Sequence, residues 1–201
     1  MQTSDPDARL MLAFREGDAS ALAELYRRWA APVRRFLLRM VGEPAMAEDL
    51  TQETFVRVHG ARDRYAPEAR FSTWLFRIAR NLALNELDRM RNSAPHLSTS
   101  PVDEGAEPRR PTLELVAGGA DADALTDARR ARRRLARELD ALPERQRTAL
   151  WLTAAEGQSH AEVAEVLETT PQSVKALVHR ARATLADRMA DEVADLREAR
   201  R

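Results

Sequence analysis

The chain has 201 residues, with 32 basic and 32 acidic side chains and a formal net charge of zero, so any attraction to nucleic acid must come from local patches rather than from the whole molecule. It has no cysteine, which excludes disulfides, thiolate-bound zinc and a thiol nucleophile, and its four histidines, His59, His96, His160 and His179, are too scattered to suggest a metal site. Arg, Ala, Leu and Glu dominate, glycines and aromatics are few, and runs of alternating β-branched residues are nearly absent, which together predict an all-α protein with room for one large domain or two small ones.

The N-terminus, MQTSDPDARLM, is acidic and lacks an apolar core of signal-peptide length. No stretch approaches the roughly 20 apolar residues that span a bilayer, so a cytoplasmic protein without membrane insertion is expected. Leu10, Met11 and Phe14 begin a helical register that Gly17 and Asp18 interrupt. Ala21, Leu22, Leu25, Trp29, Val33, Phe36, Leu37 and Met40 continue it, predicting a short first helix and a second from about Ala19 to Val41. Pro32 inside that pattern predicts a kink or break.

Gly42-Glu43-Pro44 is a stop followed by a start, and the third helix is expected from about Pro44 to His59. It places Asp49, Gln52, Glu53 and Val56 on one face, while Ala47, Leu50, Phe55 and Val58 are left to pack elsewhere. An acidic-amide face on an arginine-rich module is a candidate protein-docking surface, with a merely solvated face as the alternative. Residues 60–72 form a polar connector, and a fourth helix starts at Ser72. Trp74, Leu75, Ile78, Leu82 and Leu87 serve its burial, and helical spacing assigns Phe71 and Trp74 to the core rather than to a stacking platform. Thr73, Arg77, Arg80, Asn81, Leu84 and Asn85 form another face, whose arginines and asparagines suit phosphates and extruded bases.

From Asn92 to about Asp123 the periodicity stops, and four prolines and three glycines mark a flexible linker, placed at 93–124 between domains 1–92 and 125–201. Helical pattern resumes with an apolar stripe at Leu125, Ala128, Leu135, Leu139 and Leu142 and a basic one from Arg129 to Arg137, for which a solvated face is the preferred reading. Pro143 opens a further helix that ends near Gly157.

Ser159 to Arg182 then has two short helical registers separated by Glu168-Thr169-Thr170, the pattern of a helix-turn-helix. Ser159 and Glu162 supply an S-x-x-E capping box, Thr170 caps the second helix and Pro171 occupies its first turn. Val174, Leu177, Val178, Ala181 and Leu185 are its buried face, leaving Gln172, Ser173, Lys175, His179, Arg180 and Arg182 outside. No carboxylate occurs from Pro171 to Leu185, so the helix is locally cationic in a neutral chain. Such a helix enters the major groove, with side chains at base edges and cations on phosphates; a hairpin with a solvated basic face is the alternative.

The order of these parts resembles bacterial RNA polymerase sigma factors, specifically the compact two-domain kind called extracytoplasmic-function (ECF) sigma factors. DLTQETFVRVH (Asp49–His59) followed by FSTWLFRIARNLALN (Phe71–Asn85) is one hallmark; LPERQRTAL (Leu142–Leu150) followed by a helix-turn-helix ending in VHRAR (Val178–Arg182) is the other. The resemblance implies that Asp49, Gln52, Glu53 and Phe55 meet the polymerase core. It further implies that Arg77, Arg80, Asn81 and Asn85 contact the melted non-template strand of the −10 element. Gln172, Ser173, Lys175, Ala176, His179 and Arg180 are the candidate contacts to the −35 duplex, four of them (Lys175, Ala176, His179 and Arg180) at positions that match the family's contacts. An anti-sigma partner is implied by family alone, with no cofactor, no metal and no enzymatic activity. The family usually has glycine where this chain has Glu168, which predicts a slightly remodelled inter-helix turn. A basic residue is common where this chain has Leu177, so one phosphate or base contact is expected to be missing. The competing classes are a stand-alone helix-turn-helix regulator, which leaves the N-terminal helices unexplained, and a helical adaptor without a DNA role.

Overall fold

The computed structural model describes residues 5–93 and 122–190, with side chains for 5–92 and 129–190. The described residues are helices and connections, and the chain divides into two compact units. The expected linker 93–124 lies outside the described residues except at its ends, as does the tail beyond 190. Among the described residues, no helix is long and apolar enough to cross a membrane.

The N-terminal unit contains α1 (Pro6–Arg15), α2 (Ala19–Val41), α3 (Pro44–Gly60), a single 3-10 turn (Arg62–Arg64) and α4 (Phe71–Ser93). The starts of α1, α2 and α3 are set by carboxylates that accept backbone amides of the first turn: Asp5 from Asp7, Asp18 from Ser20, and Glu43 from Ala45 and Met46. Pro6 and Pro44 occupy first-turn positions, where their missing N–H costs nothing. Gly42 ends α2 in the left-handed region, with φ 76°. Of the kink or break expected at Pro32, the break does not occur. The helix runs through it, because packing of Val33, Phe36, Leu37 and Met40 on the other helices outweighs one lost ladder bond.

The core of this unit is built around α2, which packs on α1, α3 and α4. Phe76 of α4 is fully buried and meets Phe36 and Trp29 of α2 edge-on, with centroids 5.3 and 5.9 Å apart. Thr51 and Thr54 are buried on α3 because their hydroxyls bond back to the Ala47 and Leu50 carbonyls, each at 2.7 Å. Phe71 is fully buried, as expected, whereas Trp74 is half-buried against Tyr65.

The C-terminal unit contains α5 (Ala122–Asp140), α6 (Glu144–Ala154), α7 (His160–Val166) and α8 (Pro171–Arg188). Its core is where α6 and α7 pack on α8, with Leu152, Val163, Val166, Leu167 and Val174 all at 1 % exposure or less. The basic-residue position lost at Leu177 has become a core position, for Leu177 is 9 % exposed. The stripe expected on α5 is only partly covered: Leu142 is buried, but Leu135 is 39 % exposed, because α5 leans chiefly on α8. Leu125 and Ala128 belong to the same expected stripe and lie outside the described side chains.

The capping box of α7 is complete, with Ser159 N–H donating to Glu162 Oε2 at 2.7 Å and Glu162 N–H to Ser159 Oγ at 3.3 Å. Thr170 accepts from Ser173 N–H at 3.2 Å and starts α8 ahead of Pro171. The inter-helix turn is closed around Glu168. Glu168 takes the left-handed conformation that glycine favours, φ 50°, while Thr169 N–H donates to Ala164 O at 2.9 Å and Glu168 N–H to Glu165 O at 3.4 Å. This is a Schellman motif closed on a glutamate.

Candidate nucleic-acid interface

In the C-terminal unit, Gln172, Lys175, Ala176, His179, Arg180 and Arg182 are all exposed along α8, opposite the buried Val174, Leu177, Val178 and Ala181. Ser173 differs: it is half-buried, and its hydroxyl lies 2.9 Å from that of Thr170, within the cap. The exposed strip thus presents Lys and Arg charges, an amide and an imidazole without a carboxylate, a donor-rich surface suited to phosphates and guanine edges. Its angle is set from behind. Arg145 of α6 donates Nη2 to Leu167 O at 3.0 Å, occupying a C-terminal carbonyl of α7 at the turn. Arg147, 5 % exposed, donates Nη1 to Asp140 O at 2.6 Å and closes α5 in the same way. Arg134 donates Nη2 to Arg188 O at 2.8 Å and closes α8, reinforced by the Arg188–Glu138 ion pair at 3.3 Å. Sequence reasoning gave Arg145 and Arg147 no role and placed Arg134 on a solvated face, since periodicity carries no record of which carbonyl a side chain will reach.

In the N-terminal unit, Arg77, Asn81 and Asn85 are exposed at four-residue intervals on α4. Arg80 is not part of that open strip: it is 7 % exposed and engaged by neighbouring groups. Helical rotation explains this, since each residue turns by about 100°; Arg80 therefore turns away from Asn81 and Asn85 toward the packed side of Phe76 and Ala83. On α3, Asp49 and Gln52 are exposed, and Glu53 is half-buried and paired with Arg57 at 2.7 Å. Phe55 is 7 % exposed, covered by Tyr26 of α2 in an edge-on contact of 4.8 Å. The apolar exposure on this side comes from Val56 at 61 % and Tyr26 at 43 %. Tyr26 lies on the apolar register of α2, four residues after Leu22 and three before Trp29, and only the neighbouring helix shows that it stays partly open and covers Phe55.

The connector is built as carefully as the helices it joins. Tyr65 is buried against Phe71 and Trp74, with centroids 6.4 and 5.0 Å away. Burial first, then the Asp5 and Asp7 carboxylates, push its phenol up to about 12. Arg62 lies over the Phe14 ring at 5.7 Å, and His59 stacks obliquely on the same ring at 5.4 Å.

The family "Sigma-70 region 2" matches residues 25–92, and "Sigma-70, region 4" matches residues 132–185. The chain is 34 % identical over 170 residues to RNA polymerase sigma factor CarQ of Myxococcus xanthus, covering 85 % of this chain and 90 % of the relative. It is 28 % identical over 177 residues to the ECF RNA polymerase sigma factor SigW of Bacillus subtilis, covering 88 % and 93 % of the two chains. In fold it is similar to the sigma factor RpoE of Bartonella quintana, solved with the anti-sigma factor NepR, with a TM-score of 0.65 at 20 % identity over 84 % of this chain and 96 % of that one. With both regions present in order and relatives that match along most of their length, the chain belongs to the sigma-70 family, as an extracytoplasmic-function RNA polymerase sigma factor.

Proposed function

We propose that this sigma factor directs the polymerase core to promoters by dividing the work among three surfaces. The exposed side of α3, with Asp49, Gln52 and Glu53 beside Val56 and Tyr26, docks on the core, and Phe55 supports it from beneath. Arg77, Asn81 and Asn85 of α4 hold the unstacked −10 strand, with Arg80 bracing that helix from its packed side. The strip Gln172, Lys175, Ala176, His179 and Arg180 enters the −35 duplex, while Ser173 divides its hydroxyl between the cap and a phosphate. No bond is made or broken by this chain in that scheme. Binding energy at the −35 and −10 elements offsets the cost of melting, and the core supplies the catalysis.

The observation that carries the reading is the exposed face of α8 from Pro171 to Leu185, free of carboxylates in a chain with zero net charge. A partner of the anti-sigma class belongs to the same proposal, supported by the RpoE structure, which holds one. The test is abortive transcription from a promoter library by bacterial core polymerase, with and without the protein, repeated with Asn81→Ala and Arg180→Ala. Initiation that requires the protein and falls in both variants supports the scheme and yields the promoter sequences. Duplex binding without core binding or initiation replaces it with a stand-alone regulator.

A further inference from the structure

The contacts of α1 have no place in the scheme above, although they converge on one segment. Asp5 divides its carboxylate between two helices. Oδ1 accepts from Asp7 N–H at 3.0 Å and caps α1, while Oδ2 accepts from Phe71 N–H at 2.7 Å, the first amide of α4. At the other end of α1, Arg15 donates Nη1 to Tyr65 O at 3.2 Å. The two ends of α1 therefore hold the two ends of residues 65–71. Ten residues of helix extend about 15 Å, within the reach of the six peptide steps from 65 to 71. Within it the backbone closes one short turn, Glu68 N–H to Ala66 O at 2.9 Å, and Ala66, Pro67, Glu68 and Arg70 are exposed. Asp7 fastens α1 in turn to α2, accepting from Arg28 Nη1 at 2.8 Å and Trp29 Nε1 at 3.0 Å.

We infer that α1 is a strut that preorganises the connector 65–71 for strand capture, with Asp5 and Arg15 as positioning residues that themselves touch no DNA. The inference rests on the reading that α4 holds the melted −10 strand, and adds to that site the connector that leads into α4. A loop fixed before binding loses less conformational freedom when the strand arrives, and that difference appears as affinity. Asp5 and Arg15 are not among the docking residues of α3, so holoenzyme assembly is expected to be independent of them.

The test uses the full chain assembled with core polymerase, and a labelled single-stranded oligonucleotide carrying the non-template −10 sequence of a promoter selected as above. Asp5→Ala weakens capture of that oligonucleotide by about tenfold, the scale of a lost preorganisation, while assembly with core stays within about twofold. Asp5→Asn, which keeps one acceptor oxygen, falls between Asp5→Ala and the parent; Arg15→Ala follows Asp5→Ala, and Arg15→Lys retains a donor and loses less. Amide exchange rises at 66–71 in the weakened variants and stays at parent rates in α2. Should Asp5→Ala misfold, Arg15→Ala carries the comparison alone. Undiminished capture with faster exchange at 66–71 overturns the inference, because the loop is then loosened without consequence. Equal loss of assembly and capture in Arg15→Ala also overturns it, leaving α1 a fold element only. A parent holoenzyme that fails to capture the strand refutes the −10 reading itself and removes this inference with it, a result distinct from a difference between variants.

Discussion

Gln158 is 8 % exposed, and neither its Oε1 nor its Nε2 has a hydrogen-bond partner in the protein. Leaving a buried amide unpaired costs about 1–3 kcal/mol, whereas an apolar side chain of similar shape has nothing to leave unpaired. Gln158→Leu is therefore expected to stabilise the C-terminal unit by about 1–2 kcal/mol, read as a higher urea midpoint at unchanged slope. Tyr65 presents the same situation with a titratable group, for its buried hydroxyl also lacks a partner. The phenol of Tyr65 titrates at about 12 when folded and near 10.0 when unfolded, so between those values the folded chain binds more protons. Stability from this group is complete below pH 10 and is lost as pH rises toward 12. Tyr65→Phe removes that slope, which unfolding free energies at stepped alkaline pH measure by difference. Glu168 holds a left-handed φ of 50°; Glu168→Gly relieves about 1–2 kcal/mol of backbone strain, and after the greater entropy of unfolded glycine about 0.5–1 kcal/mol of stabilisation remains. The sequence marks residue 168 as unusual by its missing glycine, but only the backbone shows that Glu168 sits in the left-handed region and bears the strain.

The helix beginnings were legible because their signals are local. Ser159 with Glu162, and Thr170 with Pro171, are a few residues from the amides they serve, and spacing alone predicts them. The end of α2 at Gly42 was legible for the same reason, but the helix ends closed by distant arginines were not. Arg145 reaches Leu167 O across 22 residues, Arg134 reaches Arg188 O across 54, and no period in the sequence announces either. For α8 as an element, the two kinds of contact have separable signatures in duplex binding. Lys175→Ala weakens binding to all sequences alike and lowers the salt slope by about one, because one phosphate contact releases about one counterion. Arg180→Ala instead costs about 1–3 kcal/mol at one base position and relaxes the preference there. Competition between selected and scrambled −35 duplexes over a salt series distinguishes them.

The chain carries 32 charges of each sign, so the molecule as a whole has no net charge to draw it to DNA, and each interface must act by placement. Each unit has its own buried core, and the two are connected through the chain from 94 to 121. Joining two weak sites raises the effective concentration of the second once the first is bound, by a factor of about 10²–10⁴ in overall avidity. Residues 1–92 and 125–201 supplied as separate polypeptides are therefore expected to direct initiation from the selected promoter far less than the intact chain at equal concentration. Equal activity in the two formats, measured by abortive product yield, removes the tether from the mechanism.

Hydrophobic period, proline and capping residues were enough to predict α2 from about Ala19 to Val41, the helix-turn-helix, and the carboxylate-free stretch from Pro171 to Leu185, because each depends on neighbours within a few positions along the chain. Tertiary packing alone decided that Arg80 and Phe55 lie beneath their surfaces, that Leu135 stays open, and that the Asp5 carboxylate spans α1 and the start of α4. Periodicity gives the direction of a side chain around its own helix. Whether another helix covers that direction, and which distant amide or carbonyl waits there, depends on contacts between residues such as 5 and 71 that only the folded chain brings together.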